Sequence, residues 1–255
     1  MAIVAVANQK GGVGKTTTVV NLAAYLGALG ARVLVVDCDA QANSTSFFGI
    51  EAATGLYEVL TRDVDADATI RATETQGVHL IAATPALAGA DIELLMRGGD
   101  PNAVLRDALA PIRQQYSYIL LDCPPSLGVM TVNALVAADA VLVPVQCEYL
   151  ALEGLARFMA TLDRVRVQSN PGLRLFGLVM TMFDARTVLS HQVTEEVRRH
   201  YPSLTFQTVI PRNVRLSEAP SFGRPILAYD PYSRGAEAYR SLAVEVAERA
   251  PALVS

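Results

Sequence analysis

The sequence predicts an α/β fold: a single-domain, mostly parallel twisted sheet with helices on both faces. Seven apolar runs of strand length alternate with seven segments of helical period along the 255 residues, and this alternation is typical of parallel sheets. The core is expected to be aliphatic, because 51% of residues are hydrophobic, only 6% are aromatic and tryptophan is absent. No linker or repeat interrupts the pattern, so residues 1–255 are expected to form one domain.

The predicted strands are rich in Val, Ile, Leu and Ala, which suits strands buried on both faces. In chain order they cover 2–7, 32–37, 78–83, 118–122, 140–145, 175–183 and 206–210. The predicted helices lie between and after them, at 15–29, 87–97, 101–110, 128–137, 151–167, 188–200 and 234–249. Right-handed crossovers place the carboxyl ends of parallel strands along one edge, where ligands of such sheets bind.

Composition and charge exclude several classes of protein. The net charge of −4 argues against a dedicated nucleic-acid binder, although a local basic patch remains compatible with it. No apolar run reaches the roughly 18 residues that a membrane span needs. No basic leader precedes the first apolar stretch, so a signal peptide is not expected. Cys38, Cys123 and Cys147 are widely spaced, as buried thiols of a reducing cytoplasm are.

A glycine-rich loop follows the first predicted strand. Glycines at positions 11, 12 and 14 let backbone N–H groups approach an anion, and the start of the next helix adds a partial positive charge. Lys15 can reach the β- and γ-phosphates of a nucleotide, and the Thr16 hydroxyl can bind Mg²⁺. The loop therefore predicts a nucleoside triphosphate site, although Gln9 stands where the usual pattern has its first glycine.

The same loop holds the only two lysines of the chain. Lys10 and Lys15 are the sole lysines among 21 basic residues, and the others are all arginines. A lysine ammonium is compact enough to fit among backbone amides beside a phosphate, where a planar guanidinium is not. The loop by itself gives Lys15 a place at the phosphates and leaves the role of Lys10 open.

Aspartates end two other predicted strands. Asp37 and Asp39 lie in VVDCDAQANS, and Asp122 lies in LLDCPPSLG. Carboxylates beside a polyphosphate repel it unless they serve Mg²⁺ or a water molecule. Asp122 is the expected Mg²⁺ group, whereas the aspartate pair is open to a second interpretation, a solvated turn or helix cap.

Six segments in order resemble the ParA/Soj chromosome- and plasmid-partitioning ATPases, which are deviant-Walker-A P-loop proteins related to MinD. They are KGGVGKTTT, VDCDAQANS, LLDCPPSLG, PVQCEYLALEGL, TMFDART and IPRNVRLSEAPSFGRPILAYDPYSRGAEAY. The resemblance extends from residue 2 to about residue 249. It implies an ATPase with ATP and Mg²⁺ as cofactors.

The resemblance also implies roles for single residues. Lys10 is the signature lysine that reaches the nucleotide of the partner subunit in an ATP-dependent homodimer, while Lys15 serves its own subunit. Asp39 positions the attacking water, and Asp122 with Thr16 holds the metal; the role of Asp37 stays open. Ala40 departs from the family's usual proline. The implied nucleotide-binding set is Lys10, Gly11, Gly12, Val13, Gly14, Lys15, Thr16, Thr17, Pro211 and Asn213, with YDP at 229–231 as a possible addition.

A DNA-binding surface is implied in the C-terminal third. Residues 184–240 contain eight arginines and six acidic residues, a local net charge of +2. Arg186 and Arg215 match the family's DNA-contacting positions, and contacts to phosphates would bind double-stranded DNA without sequence preference. The implied partners are DNA and a ParB/Spo0J-type centromere-binding protein, with no membrane, in a cytoplasmic, nucleoid-associated protein.

Three other classes are weaker alternatives. A MinD-like membrane-cycling ATPase would end in a basic amphipathic helix, whereas SLAVEVAERAPALVS is acidic and short. A reductase of the nitrogenase iron-protein type would need a second cysteine after Cys123, where Val129 and Met130 stand. A regulator of specific DNA sites would need a helix-turn-helix extension. The phosphate loop begins so early in the chain that no such segment is expected before it.

Overall fold

The computed structural model describes residues 1–251, and its strands form one eight-stranded sheet. The strands are β1 (Ala2–Val6), β2 (Val33–Asp37), β3 (Ile70–Ala72), β4 (Val78–Ile81), β5 (Tyr118–Asp122), β6 (Ala140–Gln146), β7 (Arg174–Phe183) and β8 (Thr205–Pro211). Their order across the sheet is β3-β4-β2-β5-β1-β6-β7-β8. All neighbours are parallel except β3 and β4, which pair antiparallel at the edge.

Helices cover both faces of this sheet. They are α1 (Lys15–Ala28), α2 (Asn43–Phe47), α3 (Leu56–Thr61), α4 (Ala66–Thr69), α5 (Ala90–Met96), α6 (Val104–Leu109), α7 (Val129–Ala137), α8 (Ala151–Gln168), α9 (Val188–His200), α10 (Val214–Glu218), α11 (Ile226–Tyr229) and α12 (Arg234–Arg249). Single 3-10 turns lie at Pro85–Gly89, Arg113–Gln115 and Ala219–Phe222.

Alternation along the strands separates two apolar cores. In β1, Ile3 and Ala5 face the core under α3 and α5 to α9, whereas Val4 and Val6 face the core under α1, α2 and α10 to α12. Because side chains of a strand alternate between faces, a strand with no polar member must be covered on both sides. Burial of both faces fixes β1 in the sheet, and with it the loop that follows.

All seven predicted strands and the prediction of a mostly parallel α/β fold are confirmed, with ends that shift by up to two residues. The predicted helix 87–97 was wrong in its first turn, which is part of a 3-10 segment before α5. The predicted helix 101–110 was wrong at its start, because Asp100 accepts from the backbone of Asn102 and Ala103 in a turn before α6. Edge strand β3 and the short helices α2, α3, α4, α10 and α11 were not predicted.

The last helix is part of the core. Leu242, Ala243 and Val246 on α12 are fully buried against the sheet. Among residues 1–251, no helix combines the length and apolarity needed to cross a membrane. The final residues of the segment SLAVEVAERAPALVS, 252–255, lie outside the described part of the chain.

Candidate nucleotide site

The phosphate loop leaves the central strand β1 in an open conformation. Gly12 and Gly14 have φ angles of 75° and 89°, in the left-handed region that glycine tolerates best. Beside Gly11, a side chain would meet only Pro125, at 3.9 Å. No side chain caps α1, and its first turn has no acidic residue. The first N–H groups of a 14-residue helix therefore face an open cradle that an anion can fill.

Three hydrogen bonds anchor this loop and the first turns of α1. The Thr181 hydroxyl on β7 donates to the Val13 carbonyl at 2.9 Å. Asn21 donates from its amide to the Thr17 carbonyl at 2.8 Å, and its side-chain oxygen accepts from the backbone of Ile226 at 2.7 Å. The loop is thus tied to the far half of the sheet and to α11.

Lys15 is buried inside the loop. Its side chain is only 7% exposed, and its ammonium donates to the Lys10 carbonyl at 3.2 Å. Burial lowers the pKa of Lys15, while the carboxylates of Asp122 and Asp39 act in the opposite direction. A desolvated ammonium with few partners is complementary to a phosphate, which would supply the missing counter-charge.

Lys10 lies on the exposed side of the same loop and pairs with Glu148, which follows β6. Asn8 fixes the loop beside β6, because its side chain donates to the Pro144 carbonyl at 2.8 Å and accepts from the Lys10 backbone at 3.1 Å. Glu148 was not among the predicted site residues. It stands in the quoted segment PVQCEYLALEGL, but its contact with Lys10 depends on β6 lying next to β1.

Two predicted aspartates meet side by side at the carboxyl edge of the sheet. Asp37 and Asp122 are register partners on β2 and β5, and both are fully buried. Ser44 on α2 donates to Asp122 Oδ2 at 2.6 Å. Thr45 donates to Asp37 Oδ2 from its backbone at 2.9 Å and from its hydroxyl at 2.7 Å. Helix α2 therefore holds both carboxylates, a role that sequence reasoning missed for Ser44 and Thr45.

Asp39 differs from this pair because it is only partly buried and lies at the cradle. It accepts from the backbone of Gln41 at 3.0 Å, and its own N–H donates to Asp37 Oδ1 at 3.2 Å. The next turn contains Ala42 in the left-handed region, with φ of 53°. Asp37 therefore accepts three hydrogen bonds and anchors the loop from its buried side. The carboxylate nearer the solvent is that of Asp39.

The buried aspartates hold protons more tightly than ordinary carboxyl groups. Burial, followed by repulsion from Asp122, raises the pKa of Asp37 to about 7, against donors from Thr45 and Asp39. Burial also raises the pKa of Asp122 to about 6, against the hydrogen bond from Ser44 and the nearby Thr16 hydroxyl. The nucleotide-free site therefore favours a protonated carboxyl near neutral pH, and a bound cation would reverse this preference.

The raised pKa values of Asp37 and Asp122 determine whether stability rises or falls with pH. Both pKa values exceed the unfolded value of about 3.9, so between about pH 4 and pH 7 the native state binds more protons than the unfolded chain. As pH rises from 5 to 8, these two groups should therefore lower the free energy of unfolding of the nucleotide-free protein by an amount on the order of 4 kcal/mol.

Urea unfolding of Asp122→Asn at the two pH values checks this expectation. The variant should lose at least about 1 kcal/mol of the pH-dependent decrease, because one titrating group is gone and its repulsion of Asp37 is gone with it. Glu195→Gln, which removes an exposed carboxylate on α9, should keep the wild-type pH dependence. An unchanged decrease in Asp122→Asn would show that Asp122 is ionised throughout.

The donor set at the carboxylates fits a hydrated magnesium ion. Asp122 Oδ1 is buried and has no hydrogen-bond partner, while the Thr16 hydroxyl lies near the same carboxylate. Among residues 1–251, no group of three His, Cys, Asp or Glu side chains could hold a metal by itself. Magnesium commonly keeps several waters and takes other oxygens from phosphates, so one hydroxyl and one nearby carboxylate suit it.

The two residues predicted to contact the base lie at and just after the carboxyl end of β8. Pro211 ends β8, three strands from β1 and thus about 14 Å across the sheet. Asn213 caps α10 by accepting from the Arg215 backbone at 2.8 Å, which leaves its amide N–H groups available. Tyr229 donates to Glu218 at 3.1 Å, so the YDP segment packs beside α10.

Both predicted DNA-contacting arginines are exposed and paired with acids. Arg186 donates to the two oxygens of Asp184 at 2.9 and 2.8 Å. Arg215 pairs with Glu218 at 2.9 Å and with Asp230 at 3.3 Å. Four other exposed arginines of residues 184–240 make no ion pair within the described chain, and they are Arg212, Arg224, Arg234 and Arg240.

Two glycines join the phosphate side to this region. Gly49, just after α2, and Gly223, just after the 3-10 turn that follows α10, have φ angles of 67° and 61°. A Cβ atom at Gly223 would lie 2.9 Å from the Cα atom of Gly49. The two backbones therefore touch with no room for a side chain.

This fold and cradle define a P-loop nucleotide-binding protein, and comparison with known proteins gives its family. A family model described as an AAA domain matches residues 1–175. The chain is 52% identical over 248 residues to the sporulation initiation inhibitor protein Soj of Bacillus subtilis, covering 96% of this chain and 98% of that protein. It is 50% identical to the chromosome partitioning protein ParA of Caulobacter vibrioides, covering 98% and 95%. The chain therefore belongs to the Soj/ParA family of chromosome-partitioning ATPases.

Solved structures agree on the fold. A Mycobacterium smegmatis protein named cobyrinic acid a,c-diamide synthase, solved with ADP and magnesium, has a TM-score of 0.85 and 38% identity, covering 98% of this chain and 96% of that chain. The cell division ATPase MinD of Pyrococcus furiosus has a TM-score of 0.81 and 25% identity, covering 97% and 98%. The named partitioning proteins are more similar in sequence than either structure.

Proposed function

We propose that this protein is a Mg²⁺-dependent DNA-segregation ATPase. Its ATP-bound sandwich dimer binds DNA non-specifically, and hydrolysis stimulated by a ParB-type partner releases it, in the cytoplasm at the nucleoid. The observation that carries the proposal is the opposite placement of two lysines on one loop. Lys15 is buried in its own cradle, whereas Lys10 projects to the surface.

Binding of ATP rests on the cradle and its cations. Backbone N–H groups at the start of α1 and the ammonium of Lys15 would hold the phosphates. Lys15 would leave the Lys10 carbonyl for this purpose. Thr16 and Asp122 would hold Mg²⁺, which supplies charge neutralisation at the phosphates. Pro211 and Asn213 would border the base.

Hydrolysis rests on Asp39. This carboxylate is held by the backbone of Gln41, next to the buried pair Asp37 and Asp122. It is the most accessible of the three carboxylates, so it is the one that can orient a water for in-line attack. Asp37 acts as its support through the Asp39 backbone.

Dimerisation rests on Lys10. In the free subunit its ammonium is neutralised by Glu148. A γ-phosphate carries more negative charge than a carboxylate, so ATP on a partner subunit would compete for Lys10 and ADP would do so less well. The chemical difference between ATP and ADP thereby becomes a difference in dimer stability.

DNA binding rests on exposed arginines that the dimer duplicates. Arg215 and Arg186 are held in place by their acids, which orients each guanidinium but also offsets its charge. The unpaired Arg212, Arg224, Arg234 and Arg240 extend the same third of the chain. Contacts from such residues to phosphates are independent of DNA sequence and weaken with salt.

The variant Arg215→Glu tests the DNA part of this proposal. The substitution reverses one charge per subunit and places it beside Glu218 and Asp230, so DNA affinity should fall about tenfold, with a smaller salt dependence. Size-exclusion chromatography with ATP, with and without DNA, checks dimer formation and DNA retention in one measurement. The dimer should form normally.

The matched control is Arg164→Glu, an exposed arginine of α8 outside residues 184–240. It should dimerise and retain DNA like the wild type. Full DNA retention by Arg215→Glu would show that other arginines form the DNA interface. Failure of the wild type to dimerise with ATP would overturn the sandwich-dimer proposal itself.

A further inference from the structure

A groove of about 750 Å³ lies away from the nucleotide site. It runs between the loop before α4, the segment 97–101 after α5, and α6. Leu94, Val59 and Ile112 form an apolar floor, and each is at most 5% exposed. The walls carry Asp63, Asp65, Asp67, Asp100 and Asp107.

The groove lies in the most acidic part of the chain. Residues 51–107 contain ten acidic residues and four arginines, a net charge of −6, whereas the whole chain carries −4. Negative charge is therefore concentrated in the same segment that builds the groove. A concave surface of one sign attracts ligands of the opposite sign.

Part of this negative charge is unpaired. Arg97 is held by Asp63, and Arg106 pairs with Asp107 at 2.9 Å. In the described part of the chain, no Lys, Arg or His forms an ion pair with Asp65, Asp67 or Asp100. Three carboxylates at the groove thus lack a cation.

Exposed apolar side chains stand on the helix that leads into the groove. Ile92, Leu95 and Met96 of α5 are 65%, 64% and 82% exposed. Met96 directly precedes Arg97, a groove residue, and Leu94 of the same helix is in the floor. Large apolar side chains grouped on one short helix are typical of an interaction surface.

We propose that this groove and the outer face of α5 form a docking surface for a cationic, amphipathic segment of a protein partner. Basic side chains of the segment pair with Asp65, Asp67 and Asp100, and its apolar side chains cover Leu95 and Met96. An amphipathic helix in a groove lined by opposite charge is a common mode of peptide recognition. The surface is distinct from the nucleotide and DNA sites, and it deepens the proposed function by giving a protein partner a place to bind.

The groove is tied to the loop that follows Asp122. Asn133 on α7 is buried, donates to the Pro101 carbonyl at 2.7 Å and accepts from the Leu105 backbone at 3.1 Å. Asp91 on α5 accepts from the backbone of Val129 and Met130 at the start of α7. Helix α7 begins where the Asp122 loop ends, so a segment bound in the groove contacts elements that position this loop.

Peptide binding to the full chain tests the proposal. The probe is a fluorescein-labelled helical peptide with Lys on one face and Leu on the other, and the reference peptide carries Glu in place of Lys. Fluorescence anisotropy should show salt-sensitive binding of the Lys peptide only. The triple variant Asp65→Asn, Asp67→Asn, Asp100→Asn should bind about tenfold more weakly, since three exposed ion pairs, each individually weak, are lost together. Leu95→Ser with Met96→Ser should also weaken binding.

The matched control is Glu195→Gln, Glu237→Gln, Glu248→Gln, which removes three exposed acids elsewhere. It should bind as the wild type does. Hydrogen exchange on peptide binding should change at residues 97–112 and at the start of α7. The proposal would be overturned if the control variant bound the peptide as weakly as the groove variant does. It would also be overturned if hydrogen-exchange protection on peptide binding were confined to other regions.

Two further measurements separate this inference from the proposed function. ATP-dependent dimerisation and DNA retention of the groove variant should match the wild type, so a groove that fails to bind peptide leaves the ATPase proposal intact. Sedimentation without peptide tests whether a second copy of the chain occupies the surface. If the nucleotide-free protein is a dimer and Leu95→Ser with Met96→Ser makes it monomeric, the occupant is another subunit and the inference is overturned.

Discussion

A Lys15→Ala variant is expected to lose measurable ATP binding. Lys15 is buried in the phosphate loop, and the charges of Asp122 and Asp39 act on its ammonium. Removing it leaves these carboxylates facing the phosphates with no cation of the same subunit between them. The loss of one buried charge-assisted contact costs about 3 to 5 kcal/mol, which is roughly a hundredfold to several thousandfold in affinity. Isothermal titration with ATP and Mg²⁺ measures it.

Lys10→Ala is the matched control, since it removes the other lysine of the same loop. Lys10 is exposed and contacts Glu148 outside the cradle. This variant should bind ATP as a monomer with near-normal affinity and fail to dimerise. Normal ATP affinity in Lys15→Ala, or a loss in Lys10→Ala as large as that in Lys15→Ala, would contradict the division of roles between the lysines.

An Asp39→Ala variant is expected to bind ATP and remain a DNA-competent dimer. Its carboxylate is the accessible one at the cradle, so its removal takes away the group that orients water while sparing Lys15 and Thr16. One negative charge near the phosphates also disappears, which favours nucleotide retention. Loss of a general base or water-positioning group lowers turnover about 10²- to 10⁴-fold.

Size-exclusion chromatography of Asp39→Ala with ATP, with and without DNA, measures the trapped state, and phosphate release measures turnover. Asp39→Asn is the conservative comparison, because its side-chain oxygen can still accept from the Gln41 backbone. It should also trap the dimer, since an amide is a poor base. Hydrolysis by Asp39→Ala at the wild-type rate would show that another group positions the water.

The sequence predicted the fold because its strands are almost wholly apolar. Runs such as residues 2–6 and 118–122 have few polar side chains, and only a sheet covered on both faces buries them. Edge strand β3 was not predicted because Ile70, Arg71 and Ala72 are only partly buried or exposed, so the sequence shows no apolar run there. Helix α2 escaped because NSTSF is rich in Ser, Thr and Asn, which favour caps over helix interiors.

The site was predictable where one local segment supplies both the backbone and the side chain. Lys15 and Thr16 belong to such a segment, and Asp122 ends a strand whose edge is known once the sheet is parallel. Glu148, Ser44 and Thr45 were missed because their contacts depend on strand order and on the position of α2. No spacing in the chain states that β6 lies beside β1, yet that adjacency brings Glu148 to Lys10.

The close approach of Gly49 and Gly223 brings the loop after α2 directly against the loop that follows α10 and its 3-10 turn. Gly49 ends the segment that holds Asp37 and Asp122, and Gly223 ends the segment that begins with Asn213. Two surfaces in van der Waals contact without side chains have no soft rotamer to absorb a displacement. A side chain at either glycine would therefore force the loop after α2 and the loop after the 3-10 turn apart.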